Sequence, residues 1–227
     1  MKLLSSNTKI NKSNAGSGKF YAAILQLAPY KTSGHNVCAE ASPACSSDCL
    51  FYAGMGIYKN VQKARIERTK LFFDDRPQFT KLLMSDLESL VKKANKLGLK
   101  AAARLNGLSD LPWEKLLPDL FNFPVQFYDY TKIRARYQSF LNGDLPKNYH
   151  LTFSRSEKNH DTALKYLDNG GNVAVVGETK PKTWNGFKVI DGDKSDFRFL
   201  DEQNVVVWLV PKGRAKKDTT GFVVRNV

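Results

Sequence analysis

Cys38, Cys45 and Cys49 are the only cysteines of a 227-residue chain, and they fall in one short stretch with the spacing C-x6-C-x3-C. Thiolates are soft ligands that select zinc, copper(I) or iron–sulfur clusters. An odd, clustered set does not suit a disulfide framework, which uses an even number of cysteines spread along the chain. Structural zinc takes four protein ligands, so zinc would need a fourth donor, and His35, three residues before Cys38, is the candidate. A [4Fe–4S] cluster is also commonly held by four cysteines. Held by three, it leaves one iron open to a substrate or cofactor, and this iron–sulfur reading is the preferred one, with zinc as the alternative. The plainer reading is that these are small buried hydrophobes. It gives no packing reason for three cysteines among Ser42, Pro43, Ser46, Ser47 and Asp48.

Other residues could work beside such a centre. Arg65 and Arg68 stand one helical turn apart and could clamp a phosphate or carboxylate; an ordinary charged helix face accounts for them equally well. Arg104, Asn106, Asp129, Arg155 and Glu178 fall at the ends of expected strands and are read as cofactor- and substrate-binding residues. Asp191, Asp193 and Asp196 could offer oxygen ligands to Mg²⁺, although an Asp-Gly turn explains the first of them. No Ser–His–Asp signature and no P-loop is present, and no catalytic residue can be named.

The elements that must position these residues alternate. Phe20–Leu27 reads as a buried strand leading into the cysteine loop. Two helices follow, roughly Tyr58–Phe73 and one opening at Pro77 with Phe79, Leu83, Leu87, Leu90, Ala94 and Leu97 at helical spacing before Gly98. Strands are expected at 99–105, 125–130, 149–153, 172–176, 188–190 and 205–210, with helices at 113–120, 131–141 and 159–167 between the first four. Strand–helix alternation argues for a parallel sheet. The expected fold is α/β, a partial or compact β/α barrel with about six parallel strands, because polar clusters recur at the strand ends where barrels build active sites. A doubly wound open sheet is the alternative. Residues 1–18, rich in Ser, Asn, Lys and Gly, read as a flexible basic arm, and residues 19–227 as a single α/β domain that binds the metal centre.

Net charge is +13 and the sequence pI is about 9.6. Lys2, Lys9, Lys12, Lys19 and Lys31 precede the first acidic residue, and Lys212, Arg214, Lys216 and Lys217 form a second basic run. Such charge attracts polyanions through counterion release, which makes nucleic acid or a nucleotide the expected partner; solubility alone is the plainer account. No stretch approaches the length of a membrane span and no secretory signal opens the chain, so the expected location is the cytoplasm, the host's if the protein is phage-encoded. Oligomeric state has no signature.

Several blocks resemble an uncharacterised family encoded mainly by bacteriophages. They are the cysteine loop, AR-x2-RT at Ala64–Thr69, RLNG-x-SD at Arg104–Asp110, FYDYTK at Phe127–Lys132, LTFSRSE at Leu151–Glu157 and the run Gly192–Asp201. That resemblance implies no activity. A weaker, architectural one is to radical S-adenosylmethionine enzymes, in which a three-cysteine loop follows the first barrel strand and one iron of a [4Fe–4S] cluster is left for the cofactor. It implies S-adenosylmethionine as cofactor. The spacing here is longer than that superfamily's usual C-x3-C-x2-C, and Asn106-Gly107-Leu108 stands where a Gly-Gly-Glu segment is common. The leading expectation is therefore an iron–sulfur enzyme acting on a nucleotide or nucleic acid. The alternatives are a non-catalytic nucleic-acid-binding protein with a structural cluster or zinc, and a redox module.

Overall fold

A computed structural model describes residues 1–225; residues 226 and 227, the end of the expected domain, lie outside it. Ten strands form one mostly parallel sheet in the order β1-β2-β3-β4-β5-β6-β9-β8-β7, with β10 also paired to β6. They are β1 (Leu4–Ser5), β2 (Phe20–Leu25), β3 (Lys100–Arg104), β4 (Val125–Thr131), β5 (Tyr149–Ser154), β6 (Val173–Gly177), β7 (Thr183–Trp184), β8 (Phe187–Asp191), β9 (Val206–Leu209) and β10 (Val223–Val224). The helices are α1 (Thr8–Ser17), α2 (Pro43–Ser47), α3 (Lys59–Asp74), α4 (Arg76–Lys96), α5 (Trp113–Leu116), α6 (Arg134–Leu141) and α7 (His160–Asp168). From β2 to β6 spatial order follows chain order, every pair is parallel, and each connection carries helix. The sheet is open, running from β1 to β7 without closing into a barrel.

The pleat divides the strands between two faces. Ala101, Ala103, Val125, Phe127, Leu151, Phe153, Val173 and Val175 turn to one side and join Phe79, Leu83, Leu87, Leu90 and Ala94 of α4 in the main core. Ala22, Ile24, Ala102 and Tyr128 turn to the other and meet Ile10 of α1 and Phe197. The apolar stripe read from the sequence is thus the buried face of α4, whose N-cap Asp75 accepts from the Gln78 amide at 3.0 Å. The helix expected at 113–120 breaks after α5 because Pro118 cannot donate into it, and a 3-10 turn, Pro118–Asn122, follows.

The first eighteen residues are not an arm. Leu3, Leu4 and Ile10 are buried, β1 pairs antiparallel with β2, and the Leu3 and Leu4 amides donate to the Asp86 carboxylate at 2.7 and 2.8 Å. Asn7 caps α1, and Gly18, at φ +59°, ends it. Asn14 bonds both backbone groups of Ala22. Polar side chains that read as disorder in the sequence serve here as hydrogen-bond partners of β2. Among the described residues no helix is long and apolar enough to cross a membrane.

Candidate functional site

Just beyond the carboxyl ends of β2–β6 and β9 lies a cavity of about 1100 Å³, with all three cysteines on its wall. The loop carrying them is stitched to neighbouring strand ends. The Asp110 amide, after β3, donates to the Val37 carbonyl at 2.8 Å. Cys38 Sγ accepts from the Tyr30 amide at 3.4 Å and donates to the Leu108 carbonyl at 3.5 Å. Cys45 lies in α2, whose N-cap Ser42 accepts from the Cys45 amide at 3.2 Å. Glu157, just past β5, then holds that cap, accepting the Ser42 hydroxyl at 2.7 Å and the Ala44 amide at 3.2 Å. Cys49 immediately precedes a 3-10 turn, Leu50–Tyr52. Gly107 lets β3's exit loop press on β2: its amide donates to the Leu25 carbonyl, and a Cβ there would stand 2.7 Å from that oxygen.

Burial pushes the Cys38 thiol up to about 12 and the Cys49 thiol up to about 11; Cys49 and Cys45 add to the first shift, and Cys45 to the second. Cations stand among them. Lys132, at the end of β4, donates to Ser154 Oγ at 2.9 Å. Burial disfavours its charge, but Cys45 and Asp110 outweigh that and hold its pKa above the ordinary lysine range. Arg65, on α3, is buried and donates from Nη2 to Gln26 Oε1 at 3.0 Å, while its Nε and Nη1 have no partner; burial lowers its pKa, with only Cys49 acting the other way. Nothing in the sequence separates Lys132 from the other basic residues. It shares the expected strand-end cluster, and only the register of β4 aims it at Cys45.

Among the described residues no three of His, Cys, Asp and Glu gather closely enough to hold a single metal ion. Tetrahedral zinc would draw its sulfurs to about 3.8 Å of one another, given Zn–S bonds of ~2.3 Å. The three cysteines share one cavity wall, and the charges of Lys132 and Arg65 stand near Cys49. His35 does not take the expected place of a fourth ligand. Its ring stacks on Phe73 at 4.1 Å, its Nε2 lies 3.8 Å from Asp74, and it is not on the cavity wall.

The other expected site residues divide. Arg65, Arg68 and Arg104 line the cavity. Arg68 Nε donates to the Lys2 carbonyl at 3.2 Å. Arg104 pairs with Asp196 at 3.1 Å, and its guanidinium lies 4.6 Å from the centre of the Tyr130 ring. Asn106 borders the cavity, but its side chain is committed to the loop. Its Oδ1 accepts from Ser109, the Leu111 amide and Trp113 Nε1, and its Nδ2 donates to the Leu111 carbonyl and Asp129. Asp129, Arg155 and Glu178 are off the wall. The pleat turns Asp129 to the helix-packed face, where it is fully buried and accepts from the Asn106 amide at 2.6 Å and Tyr149 Oη at 2.7 Å. Arg155 donates to the Gly221 and Phe222 carbonyls, pinning the chain that enters β10. Glu178 pairs with Arg225. Asp196 and Asp193 serve as counter-ions rather than as a gathered cation site. The first faces Lys9 and Arg104 at 3.1 Å each, the second Lys212 at 2.6 Å.

A model of the family described as Gene product 88 matches residues 1–226. No curated protein and no solved structure matches the chain. The match agrees with the resemblance to a phage-encoded family and lends nothing to the one with radical S-adenosylmethionine enzymes. The chain belongs to the Gene product 88 family.

Proposed function

We propose that this Gene product 88 protein holds a [4Fe–4S] cluster on Cys38, Cys45 and Cys49 and acts as an enzyme on a nucleotide or nucleic acid. The observation that carries the reading is the placement of all three cysteines, and no histidine, on the wall of one large cavity at the carboxyl ends of parallel strands. With three protein thiolates and His35 turned away, one coordination position remains for a ligand entering from the cavity. The group would supply one-electron or Lewis-acid chemistry there. Lys132 and Arg65 balance the thiolate charge, Arg68 offers a cation to an anionic ligand, and Arg104, braced by Asp196, presents its guanidinium over Tyr130. The sequential parallel run β2–β6, with the cysteine loop after its first strand, supports reading the sheet as an open, partial β/α barrel. It is also the support for S-adenosylmethionine as the cavity ligand.

Anaerobic purification with iron, acid-labile sulfide and zinc analysis tests the centre. Brown protein containing iron and sulfide, lost on changing any of the three cysteines to Ala but retained in His35→Ala, is expected. Stoichiometric zinc without iron, from iron-replete cells, refutes it. A reduced protein whose paramagnetic resonance spectrum ignores added S-adenosylmethionine removes that cofactor and leaves the electron-transfer or structural roles.

A further inference from the structure

Around the mouth of this cavity a strongly basic chain exposes apolar side chains. Leu50 is 51% exposed, Met55 66%, Ile57 60% and Tyr58 53%, all within the few residues that follow Cys49. Leu50 and Met55 belong to the cavity wall itself. Apolar groups clustered in this way mark an interaction surface. Cations flank them. Arg214 lies 4.1 Å over the Tyr52 ring, and Lys31 Nζ is 5.6 Å from the centre of the Tyr30 ring, both tyrosines being on the wall. The basic run Lys212–Lys217 is pressed against this segment at Gly213, whose φ is +57° and where a Cβ would meet that of Ala53 at 2.8 Å.

We infer that this rim binds single-stranded nucleic acid, with the strand lying across Leu50–Tyr58 and the 212–217 run and one nucleotide entering the cavity. The inference rests on reading the cavity as the reaction site. Bases stack on exposed aromatic and apolar side chains while phosphates meet flanking cations, which is the pattern of sequence-tolerant strand binding. A duplex keeps its bases stacked inside and could deliver none to the cysteines without extruding one. The cavity, about 1100 Å³, has room for a nucleotide. A folded acidic protein would suit the charge, but seated on Leu50 and Met55 it would close the mouth the substrate must use.

The test is fluorescence anisotropy of a labelled oligothymidylate and of a duplex of equal length, titrated with the whole chain over a range of salt. Met55→Ser with Tyr58→Ala should weaken strand binding about tenfold and leave the salt slope unchanged, since no charge is removed. Arg214→Ala with Lys217→Ala should lower the slope by roughly 1.4. Lys92→Ala with Lys96→Ala, on the exposed face of α4, removes equal charge and should change binding little. Equal affinity for duplex and strand, or rim variants that bind like the wild type, overturns the inference. So does a rim that instead captures polyglutamate, or that holds two copies together until Met55 and Tyr58 are changed. Iron measured on the same preparations separates the two readings. Strand binding lost from the rim with iron present defeats this inference alone, and strand binding intact without iron defeats the cluster alone.

Discussion

Asn106→Ala is the substitution whose consequence the structure fixes most closely. The side chain is buried and makes five hydrogen bonds, at 3.0 and 3.3 Å from Nδ2 and 2.8, 2.9 and 3.0 Å to Oδ1. Truncation leaves the Leu111 amide and Trp113 Nε1 without their acceptor and removes a donor from Asp129. An orphaned buried donor costs about 1–3 kcal/mol, and the losses are coupled because the bonds converge on one amide. A total of roughly 3–5 kcal/mol follows, with Ser109→Ala, which removes a single bond, costing about 1 kcal/mol. For a chain of this size that is a fall in Tm of about 10 °C for Asn106→Ala against a few degrees for Ser109→Ala. Urea and thermal unfolding of the metal-free proteins measure both. The variant should also bind metal less well, because the same loop carries the Leu108 carbonyl that receives Cys38. Equal stability of Asn106→Ala and Ser109→Ala would refute the assignment of Asn106 as a loop-holding hub.

Glu157→Gln should leave the fold intact but weaken metal retention about tenfold, read as iron per chain after chelator challenge, because α2 and Cys45 lose their charged cap. Arg65→Met should move two quantities in opposite directions. Unfolding of the metal-free chain becomes no easier, since two unpartnered buried nitrogens disappear, while iron is held less tightly. Burial, then Arg198, lowers the His150 pKa to about 4. The unfolded chain therefore binds the extra proton below about pH 6.5, so stability is full above that value and falls as pH drops toward 4, by up to about 3 kcal/mol. Replacing His150 by Phe should flatten that part of the stability–pH curve, and an unchanged slope would mean another group carries it.

The features legible in the sequence are those set by local period and ligand chemistry. The stripe from Phe79 to Ala94 needed only a 3.6-residue repeat to be read, and the parallel strands followed from alternation with helices. The three cysteines stood out by spacing, and the fold brings them to one cavity wall. Failures arise where the partner is distant in sequence. Leu3 and Leu4 are ordered by Asp86 and by β2, contacts that no local pattern encodes. Asp129 and Tyr130 are adjacent residues of one strand, and the pleat alone sends the first to the helix-packed face and the second to the cavity. Position at a strand end therefore says which layer of the molecule a residue occupies, and it does not say which side of the sheet.

Charge balance gives the strongest reason to treat the cavity as more than a cleft. A buried guanidinium with two nitrogens unpartnered is a standing cost to the folded chain. An apolar side chain of similar length would relieve it. The half-buried cysteines offer no relief while they remain thiols, and burial raises the pKa values of Cys38 and Cys49. If a cationic centre draws off the thiol protons, three negative charges appear beside Arg65 and Lys132, and the cost at Arg65 becomes a favourable pairing in a site of low dielectric. On the proposed reading Arg65 burdens the metal-free chain and would stabilise a loaded one, which would couple loading to the order of the loop between β2 and α3. The loop is tied to the exits of β3 and β5, and those ties hold in register cysteines and cations that come from different segments.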